Sequence, residues 1–282
     1  MTRREVVLCA AVRTAIGTYG GTLKDMPAVE LGGAAIREAL RRGGIGGDDV
    51  QALVMGQVVQ AGAGMNPARQ AGIKAGLPVE VPAMTVNRVC GSGAQAVVSA
   101  ALEVLSGCAD CVVAGGMENM DQAPYLLPQG RWGARMGDAA LLDSMLRDGL
   151  HDAFSGKHSG WHTEDLVQRL DITREAQDRW ALRTQQRFAA AQAAGRFDAE
   201  IVAVEVPGRK GVVSFARDEH NRPDTTLESL ARLKPVFRKE GTITAGNAPG
   251  LNSGAAAMLV AERAWAEARD LPVLARDPAW LD

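Results

Sequence analysis

The chain has 282 residues, with 31 Lys and Arg against 33 Asp and Glu, so its formal net charge is -2. This balance argues against nucleic-acid or anionic-membrane binding, which usually requires a basic surplus. Hydrophobic residues make up 46% and charged residues 23%, which is typical of a globular protein and not of a disordered one. The length predicts one large domain or two closely joined domains.

Two further patterns indicate where such a chain works. No segment approaches the roughly 18 unbroken apolar residues of a membrane-spanning helix, and the apolar run near the N-terminus is too short for a signal peptide. The four cysteines, Cys9, Cys90, Cys108 and Cys111, are too few for a disulfide framework in a chain of this length. We therefore expect a cytoplasmic protein with reduced thiols.

Short apolar runs alternate with Ala-rich stretches of helical period along the first part of the chain. The runs predict strands over 5–12, 52–59, 83–86 and 111–115, and the stretches predict helices over 28–42, 67–75 and 94–105. Alternating strands and helices are typical of an α/β fold. We predict an α/β protein with a parallel-type sheet covered by helices on both faces.

The pattern changes over 118–242, which we predict to be a long insertion because alternating apolar positions become rare. Its clearest element is a helix over 173–194, which begins beside the N-cap candidate Thr173 and stops at Gly195. Acidic and apolar residues alternate over 200–206, which predicts a half-exposed strand.

Core-like sequence returns after Gly241. A strand over 257–261 is predicted to rejoin the first sheet, and a helix over 263–269 follows it. A last strand is predicted to begin at 271–274, and the sequence offers it no partner.

Cys90 stands in the segment AMTVNRVCGSGAQAVVSAALEVL, where a strand ends, a polar turn follows and a helix of small residues begins. The N–H groups and dipole of a helix N-terminus favour a thiolate, which is the nucleophilic form of cysteine. The run Gly91-Ser92-Gly93 lets a substrate approach the backbone and can point N–H donors at a developing oxyanion. We predict a nucleophile, and the alternative is an inert cysteine beneath a packed helix.

The same segment also fits a dinucleotide-binding pattern, since residues 91–96 read GSGAQA between a strand and a helix. That site needs an acidic residue about 20 positions later at the end of the next strand. Asp110 has nearly this spacing but precedes its strand. A nicotinamide-dependent dehydrogenase therefore remains a weak alternative.

Three other patterns suggest chemistry less strongly. Cys108-x-x-Cys111 could form a redox or zinc pair, but it has no second ligand pair, so core packing is the better interpretation. His158 and His162 have helical spacing and could bind a metal with a neighbouring carboxylate, again without a matched pair. His158 could instead contact a substrate, because it lies between Lys157 and a Gly-containing turn. His151 and His220 show no signal beyond solvated surface positions.

Five segments together point to a family: RTAIGTYGG, NRVCGSGAQAV, GGMENM, QAPYLLPQGRWGARMGD and TAGNAPGLNSGAAAMLV. In order and separation they resemble the thiolase family, of its biosynthetic acetyl-CoA acetyltransferase type, from residue 1 to about 274. The resemblance implies the thiolase fold. It also implies an N-terminal domain over 1–264, with a core of 1–120 and 246–264 around a loop domain of 121–245, and 265–282 as a truncated start of the C-terminal domain.

The resemblance carries over to individual positions. Cys90 matches the nucleophile that holds the acyl group as a thioester, and His158 matches a loop-domain histidine that lines the acyl pocket. Arg222 and Ser229 match residues that meet the coenzyme A moiety. Residues 123–138 resemble the oligomerisation loop of tetrameric members, which implies a homo-oligomer. The implied partners are acetyl-CoA, acetoacetyl-CoA and CoA as substrates, with no metal and no cofactor.

The sequence also departs from the family. The second half of a thiolase supplies a histidine in a GHP motif, a Cys-x-Gly base and an Asn-Glu-Ala-Phe segment, and none of these occurs in the 282 residues. We expect a truncated or frame-shifted reading frame. The resemblance implies interconversion of two acetyl-CoA with acetoacetyl-CoA and CoA through a Cys90 acyl-enzyme, with impaired activity in this chain. The alternative is a catalytically incompetent thiolase-fold remnant or interaction module.

Overall fold

A computed structural model describes residues 4–208 and 211–276. The strands are β1 Val6–Thr14, β2 Gly17–Thr18, β3 Ala52–Gly56, β4 Ala83–Val86, β5 Cys111–Asn119, β6 Tyr125–Leu126, β7 Leu142–Asp143, β8 Ile201–Val202, β9 Val204–Gly208, β10 Gly211–Phe215, β11 Asn252–Glu262 and β12 Val273–Arg276. The helices are α1 Ala28–Gly43, α2 Pro67–Ala75, α3 Ser92–Leu105, α4 Ser159–Arg169, α5 Arg174–Ala193, α6 Leu227–Ala231 and α7 Arg263–Glu267. Residues 277–282 of the segment expected to start a second domain lie outside the described residues.

Local signals explain where the predicted helices begin and end. The side chain of Asn66 accepts a hydrogen bond from the Arg69 N–H, Pro67 occupies the first position of α2, and Gly76 ends the helix in the left-handed region. In α5, the Thr173 hydroxyl accepts a hydrogen bond from the Ala176 N–H at 3.2 Å. Both helices therefore match their predicted positions closely.

The main sheet has the strand order β12-β1-β11-β5-β3-β4, with β2 beside β11 and β8 beside β1. The pairs β5–β3 and β3–β4 are parallel, as the strand and helix alternation predicts. β11 runs antiparallel to both β1 and β5, because it follows the long insertion and not a covering helix. β12, for which the sequence offered no partner, pairs antiparallel with β1, so that expectation is wrong.

Alternate residues of the strands point to opposite faces of the sheet, and each face packs against its own helices. On one face, Leu53, Val113 and Leu259 join a buried cluster that includes residues of α1 and α2. On the other face, Val54 and Val112 join a cluster that includes residues of α3. The sheet is therefore covered on both sides, as predicted, and α3 is the helix that follows Cys90.

The chain divides into two compact units. Unit 1 comprises Met1–Gln122, Glu200–Arg217 and Asn252–Asp282, and contains the main sheet. The strand predicted over 200–206 is instead two short strands of unit 1: β8 pairs parallel with β1, and β9 pairs antiparallel with β10. The family-based domain boundaries stay a prediction.

Among the described residues, no helix is both long and apolar enough to span a membrane.

Unit 2 comprises Ala123–Ala199 and Asp218–Leu251. Its centre contains a polar network around Asp178, which is only 4% exposed. Arg174 Nε lies 2.8 Å from the Asp178 carboxylate, and Asn247 Nδ2 donates to the same carboxylate at 3.0 Å. Arg174 also donates to the Leu230 carbonyl at 2.6 Å, which joins α5 to α6. Because the buried charge is paired, the network is compatible with a compact core.

Candidate active site

Cys90 lies in unit 1, in the short connection between β4 and α3. The Cys90 thiol is exposed, and the residue immediately precedes Gly91, the N-cap of the 14-residue helix α3. Gly91 has no side chain with which to cap the helix. Since Cys90 is exposed, the predicted alternative of a buried cysteine is wrong, and the site offers an accessible thiol at the N-terminus of a helix.

The turn that carries Cys90 has an unusual backbone. Val89 has a φ of 50°, in the left-handed region that a β-branched residue rarely occupies. The Gly91 N–H donates to the Arg88 carbonyl at 3.1 Å, and the Ser92 N–H donates to the Val89 carbonyl at 3.0 Å. These two N–H groups belong to the run that was predicted to point donors at an oxyanion, and in this turn they bond to backbone carbonyls.

Gly56, the last residue of β3, packs against the backbone of this turn. A Cβ placed on Gly56 would lie 2.5 Å from the backbone carbon of Ser92 and 2.8 Å from the Gly93 nitrogen. Real Cβ atoms essentially never approach so closely. The first turn of α3 thus packs directly against the backbone of β3, and this contact fixes the distance between the turn and the sheet.

The other cysteines differ from Cys90 in exposure. Cys9 and Cys111 are buried, and burial raises the pKa of each thiol, that of Cys111 to about 12. Cys108 is exposed, so it does not share the buried environment of Cys111. The proposed redox or zinc pair is therefore contradicted, because a thiol as buried as Cys111 is poorly reactive and weakly ionised.

His158 lies in unit 2 as the N-cap of α4. Its Nδ1 accepts a hydrogen bond from the Gly160 N–H at 3.0 Å, and its ring stacks on Phe237 with centroids 4.6 Å apart. His151 is exposed, as predicted, and its ring packs edge-on against that of His158 at a centroid distance of 5.8 Å. With Nδ1 acting as acceptor, the neutral ring carries its proton on Nε2.

Burial, followed by the nearby His151, lowers the pKa of His158 below its ordinary 6.5. The folded protein therefore favours the neutral ring. The contribution of His158 to the free energy of unfolding is fully present above its pKa in the unfolded chain, and it is lost as the pH falls through its lowered pKa in the folded protein. We expect the free energy of unfolding to decrease between pH 7 and pH 5, and the decrease to be smaller in His158→Gln. An NMR titration of His158 with a midpoint at or above 6.5 would contradict this.

Arg222 and Ser229 also lie in unit 2, before and within α6. Arg222 is exposed, and its backbone N–H donates to the Gln185 side chain at 2.8 Å. The Ser229 hydroxyl accepts from the Thr226 N–H at 3.0 Å and donates to the Thr226 carbonyl at 2.8 Å. Ser229 thus completes a capping box with Thr226, a structural role that the sequence interpretation missed.

The metal alternative around His158 finds no matching geometry. The His162 Nε2 lies 2.8 Å from the Ser155 hydroxyl, and the Glu164 carboxylate is engaged by the backbone N–H groups of Thr242 and Ile243. Within residues 4–208 and 211–276, no group of three or more His, Cys, Asp or Glu side chains could hold a metal ion. His220, predicted to be a plain surface residue, is half-buried.

Sequence reasoning missed two residues beside the nucleophile, Asn87 and Ser92. The Asn87 side chain accepts a hydrogen bond from the Val89 N–H at 2.9 Å, and the Ser92 side chain binds two backbone groups of the turn. Asn and Ser side chains commonly bond to nearby backbone in turns. In the sequence, their positions three residues before and two residues after Cys90 could have indicated this role in the turn.

Residues 6–264 match the family model "Thiolase, N-terminal domain". The chain is 52% identical to the acetyl-CoA acetyltransferase of Pseudomonas aeruginosa, over 97% of this chain and 70% of that protein. It is 51% identical to the beta-ketothiolase BktB of Cupriavidus necator, over the same shares of the two chains.

A solved structure agrees with these matches. The crystal structure of the Bacillus anthracis acetyl-CoA acetyltransferase superposes with a TM-score of 0.94 at 42% identity, and covers 97% of this chain and 69% of that one. The predicted α/β class, and with it the thiolase fold, is confirmed. The dinucleotide alternative loses its support, because GSGAQA belongs to a segment of the family match. By sequence and by structure, the chain belongs to the thiolase family.

Proposed function

We propose that this chain is a thiolase-type acyltransferase that uses Cys90 as its nucleophile. Its complete reaction would interconvert two acetyl-CoA with acetoacetyl-CoA and CoA. The observation that carries the proposal is the exposed Cys90 thiol before the N-terminus of α3, in a chain whose relatives include acetyl-CoA acetyltransferases. CoA thioesters enter as substrates, and the proposal involves no metal or prosthetic group.

The first half-reaction is a thioester exchange. The Cys90 thiolate attacks the carbonyl carbon of acetyl-CoA, and the carbonyl oxygen takes on negative charge. The carbon–sulfur bond to CoA then breaks, the acetyl group remains on Cys90 Sγ, and CoA leaves as a thiolate that takes up the proton released by Cys90. Positively polarised N–H groups at the start of α3 favour both the thiolate and the oxyanion.

The second half-reaction needs groups beyond Cys90. Condensation requires a base that removes the weakly acidic α-proton of a second acetyl-CoA, and oxyanion stabilisation for its enolate. The 282 residues contain neither the GHP nor the Cys-x-Gly segment that supplies these groups in the family. For these 282 residues, the proposal is therefore the acylation of Cys90.

His158, Arg222 and Ser229 are proposed to contact the substrate. The stacked, half-buried ring of His158 suits an apolar acyl or pantetheine surface, with Nε2–H as a donor. The exposed guanidinium of Arg222 suits the phosphates of CoA. The role of Ser229 is less direct, since its hydroxyl already binds Thr226.

We also propose a cytoplasmic location for the protein. The four free cysteines support it, since thiols stay reduced in that compartment.

Intact mass spectrometry before and after acetyl-CoA tests the proposal. We expect a single acetyl adduct on the chain and none on Cys90→Ala, while the matched control Cys108→Ala, which removes the other exposed thiol, is acetylated like wild type. If wild type never acquires an acetyl group, the chain is a catalytically incompetent thiolase-fold remnant or interaction module. If Cys90→Ala is still acetylated, another group is the nucleophile.

The segment 123–138 is proposed to mediate a homo-oligomer. Its side chains are mostly exposed, including Trp132 at 87% and Met136 at 91%, and it contains β6, which pairs antiparallel with β7. Such an exposed apolar segment is typical of an interaction site. We expect Trp132→Glu to lower the molar mass measured by light scattering, and the same change on the exposed Trp180 of α5 to leave it unchanged. An unaltered mass in Trp132→Glu would contradict the assignment.

A further inference from the structure

We propose that Ser92 and Asn87 are positioning residues for Cys90, which hold the strained turn so that the thiol stays beside the N-terminus of α3. The inference rests on the proposed role of Cys90 as nucleophile. It extends that role by assigning two side chains that touch no reacting atom.

Ser92 closes the turn around Cys90 with its side chain. The Ser92 Oγ donates to the Val89 carbonyl at 2.6 Å and accepts from the Arg88 N–H at 2.9 Å. Ser92 is only 4% exposed, so water competes poorly for these bonds. One hydroxyl thus ties together the two residues that precede Cys90 and the first residue of α3.

Asn87 holds the turn from its other side. Its Oδ1 accepts from the Val89 N–H at 2.9 Å, and its Nδ2 donates to the Val58 carbonyl at 3.3 Å. The loop that carries Val58 is itself fixed, because the Glu118 carboxylate at the end of β5 accepts from the Val58 and Val59 N–H groups at 2.9 and 3.2 Å. The turn is therefore anchored to the ends of two neighbouring strands.

Val89 explains why such anchoring is needed. Its φ of 50° is unfavourable for a β-branched residue, which would otherwise relax toward the extended region. Asn87 binds the N–H of Val89 and Ser92 binds its carbonyl, so both polar groups of the strained residue are held by side chains. Strained residues persist where the surroundings determine their conformation, and they cluster at functional sites.

Release of Val89 would rotate the peptide that leads into Cys90. The thiol would then leave the immediate neighbourhood of the helix N-terminus, where the favourable effect on a thiolate falls off within about one turn. Loss of either side chain should therefore make Cys90 react more slowly, while the fold around the sheet remains. This consequence separates positioning from a merely structural role.

The test measures the rate of alkylation by iodoacetamide at one fixed pH, resolved by peptide mass for each cysteine. Ser92→Ala and Asn87→Ala are compared with wild type, and Ser99→Ala is the matched control on the same helix. Asn87 is exposed, so its variant is expected to fold even if loss of the buried Ser92 hydroxyl reduces stability. The exposed Cys108 serves as an internal reference within each molecule.

We expect the rate of Cys90 alkylation to fall about threefold in both variants. The Cys108 rate should stay the same, and Ser99→Ala should resemble wild type. Unchanged Cys90 rates in both Ser92→Ala and Asn87→Ala would overturn the inference, as would equal decreases at Cys90 and Cys108. Because alkylation needs no CoA, failure of Cys90 to acetylate would refute the proposed function without affecting this result.

Discussion

Replacing Gly56 with alanine is expected to displace the first turn of α3 and to lower the free energy of unfolding by about 3 kcal/mol. The added methyl group would lie 2.5 Å from the backbone carbon of Ser92 and 2.8 Å from the Gly93 nitrogen. Backbone atoms cannot rotate away as a flexible side chain can, so the helix terminus itself must move. Core interiors are close-packed, and little free space exists to absorb the shift.

The same shift should reach Cys90, which precedes that turn. Displacements of about 1 Å at a reactive group can reduce rates by about two orders of magnitude, so we expect Cys90 acetylation in Gly56→Ala to be at least about tenfold slower. Urea unfolding followed by circular dichroism, and the rate of adduct formation by mass spectrometry, measure the two effects.

Gly46→Ala is the matched control for this substitution. A Cβ on the exposed Gly46 has its nearest contact at 3.8 Å, an ordinary van der Waals distance, and the Gly46 φ is -89°. We expect this variant to unfold and acetylate like wild type. If Gly56→Ala behaves like Gly46→Ala in both measurements, the contact between β3 and α3 does not control the position of Cys90.

The order of the elements in unit 1 could be predicted from the sequence because the local signals agree with the final packing. α2 has an N-cap asparagine, a proline at its first position and a terminal glycine, and both its ends were predicted correctly. The partner of β12 could not be predicted, since pairing with β1 joins residues far apart in the chain and leaves no trace in local periodicity.

The candidate site shows the same division between local and distant information. Cys90 was identified from a strand, a polar turn and a helix of small residues, all of which are local. The hydrogen bonds that Ser92 and Asn87 make to the turn involve side-chain directions that hydrophobic patterns do not report. The stacking of His158 on Phe237 joins residues 79 positions apart (237 − 158), and no sequence signal indicated it.

Glu164→Ala is expected to destabilise unit 2 by about 3 kcal/mol, since it leaves buried N–H groups without an acceptor. Glu164 is 4% exposed. Its carboxylate accepts from the Thr242 N–H at 3.0 Å, from the Ile243 N–H at 2.9 Å and from the Thr242 hydroxyl at 3.1 Å. These bonds hold the segment after Gly241 against α4, where water cannot easily replace the carboxylate.

Gly241 provides an independent check on the same contact. A Cβ on Gly241 would lie 2.4 Å from Glu164 Oε1 and 3.0 Å from the Arg238 carbonyl. Gly241→Ala should therefore push the carboxylate out of its hydrogen-bonding position and destabilise the unit in the same direction. The effects of the two changes should not add fully, because residues in contact share one set of interactions.

Asp165→Ala supplies the matched control, an acidic residue removed from the next position of α4. The Asp165 side chain is 61% exposed, and it forms an ion pair with Arg238 at 2.7 Å. Exposed ion pairs contribute about 0.2–1 kcal/mol, so this change should cost far less than Glu164→Ala. Urea unfolding followed by tryptophan fluorescence, with Trp161 on α4 as reporter, measures both variants. Equal midpoints for Glu164→Ala and Asp165→Ala would show that the buried carboxylate does not hold this segment.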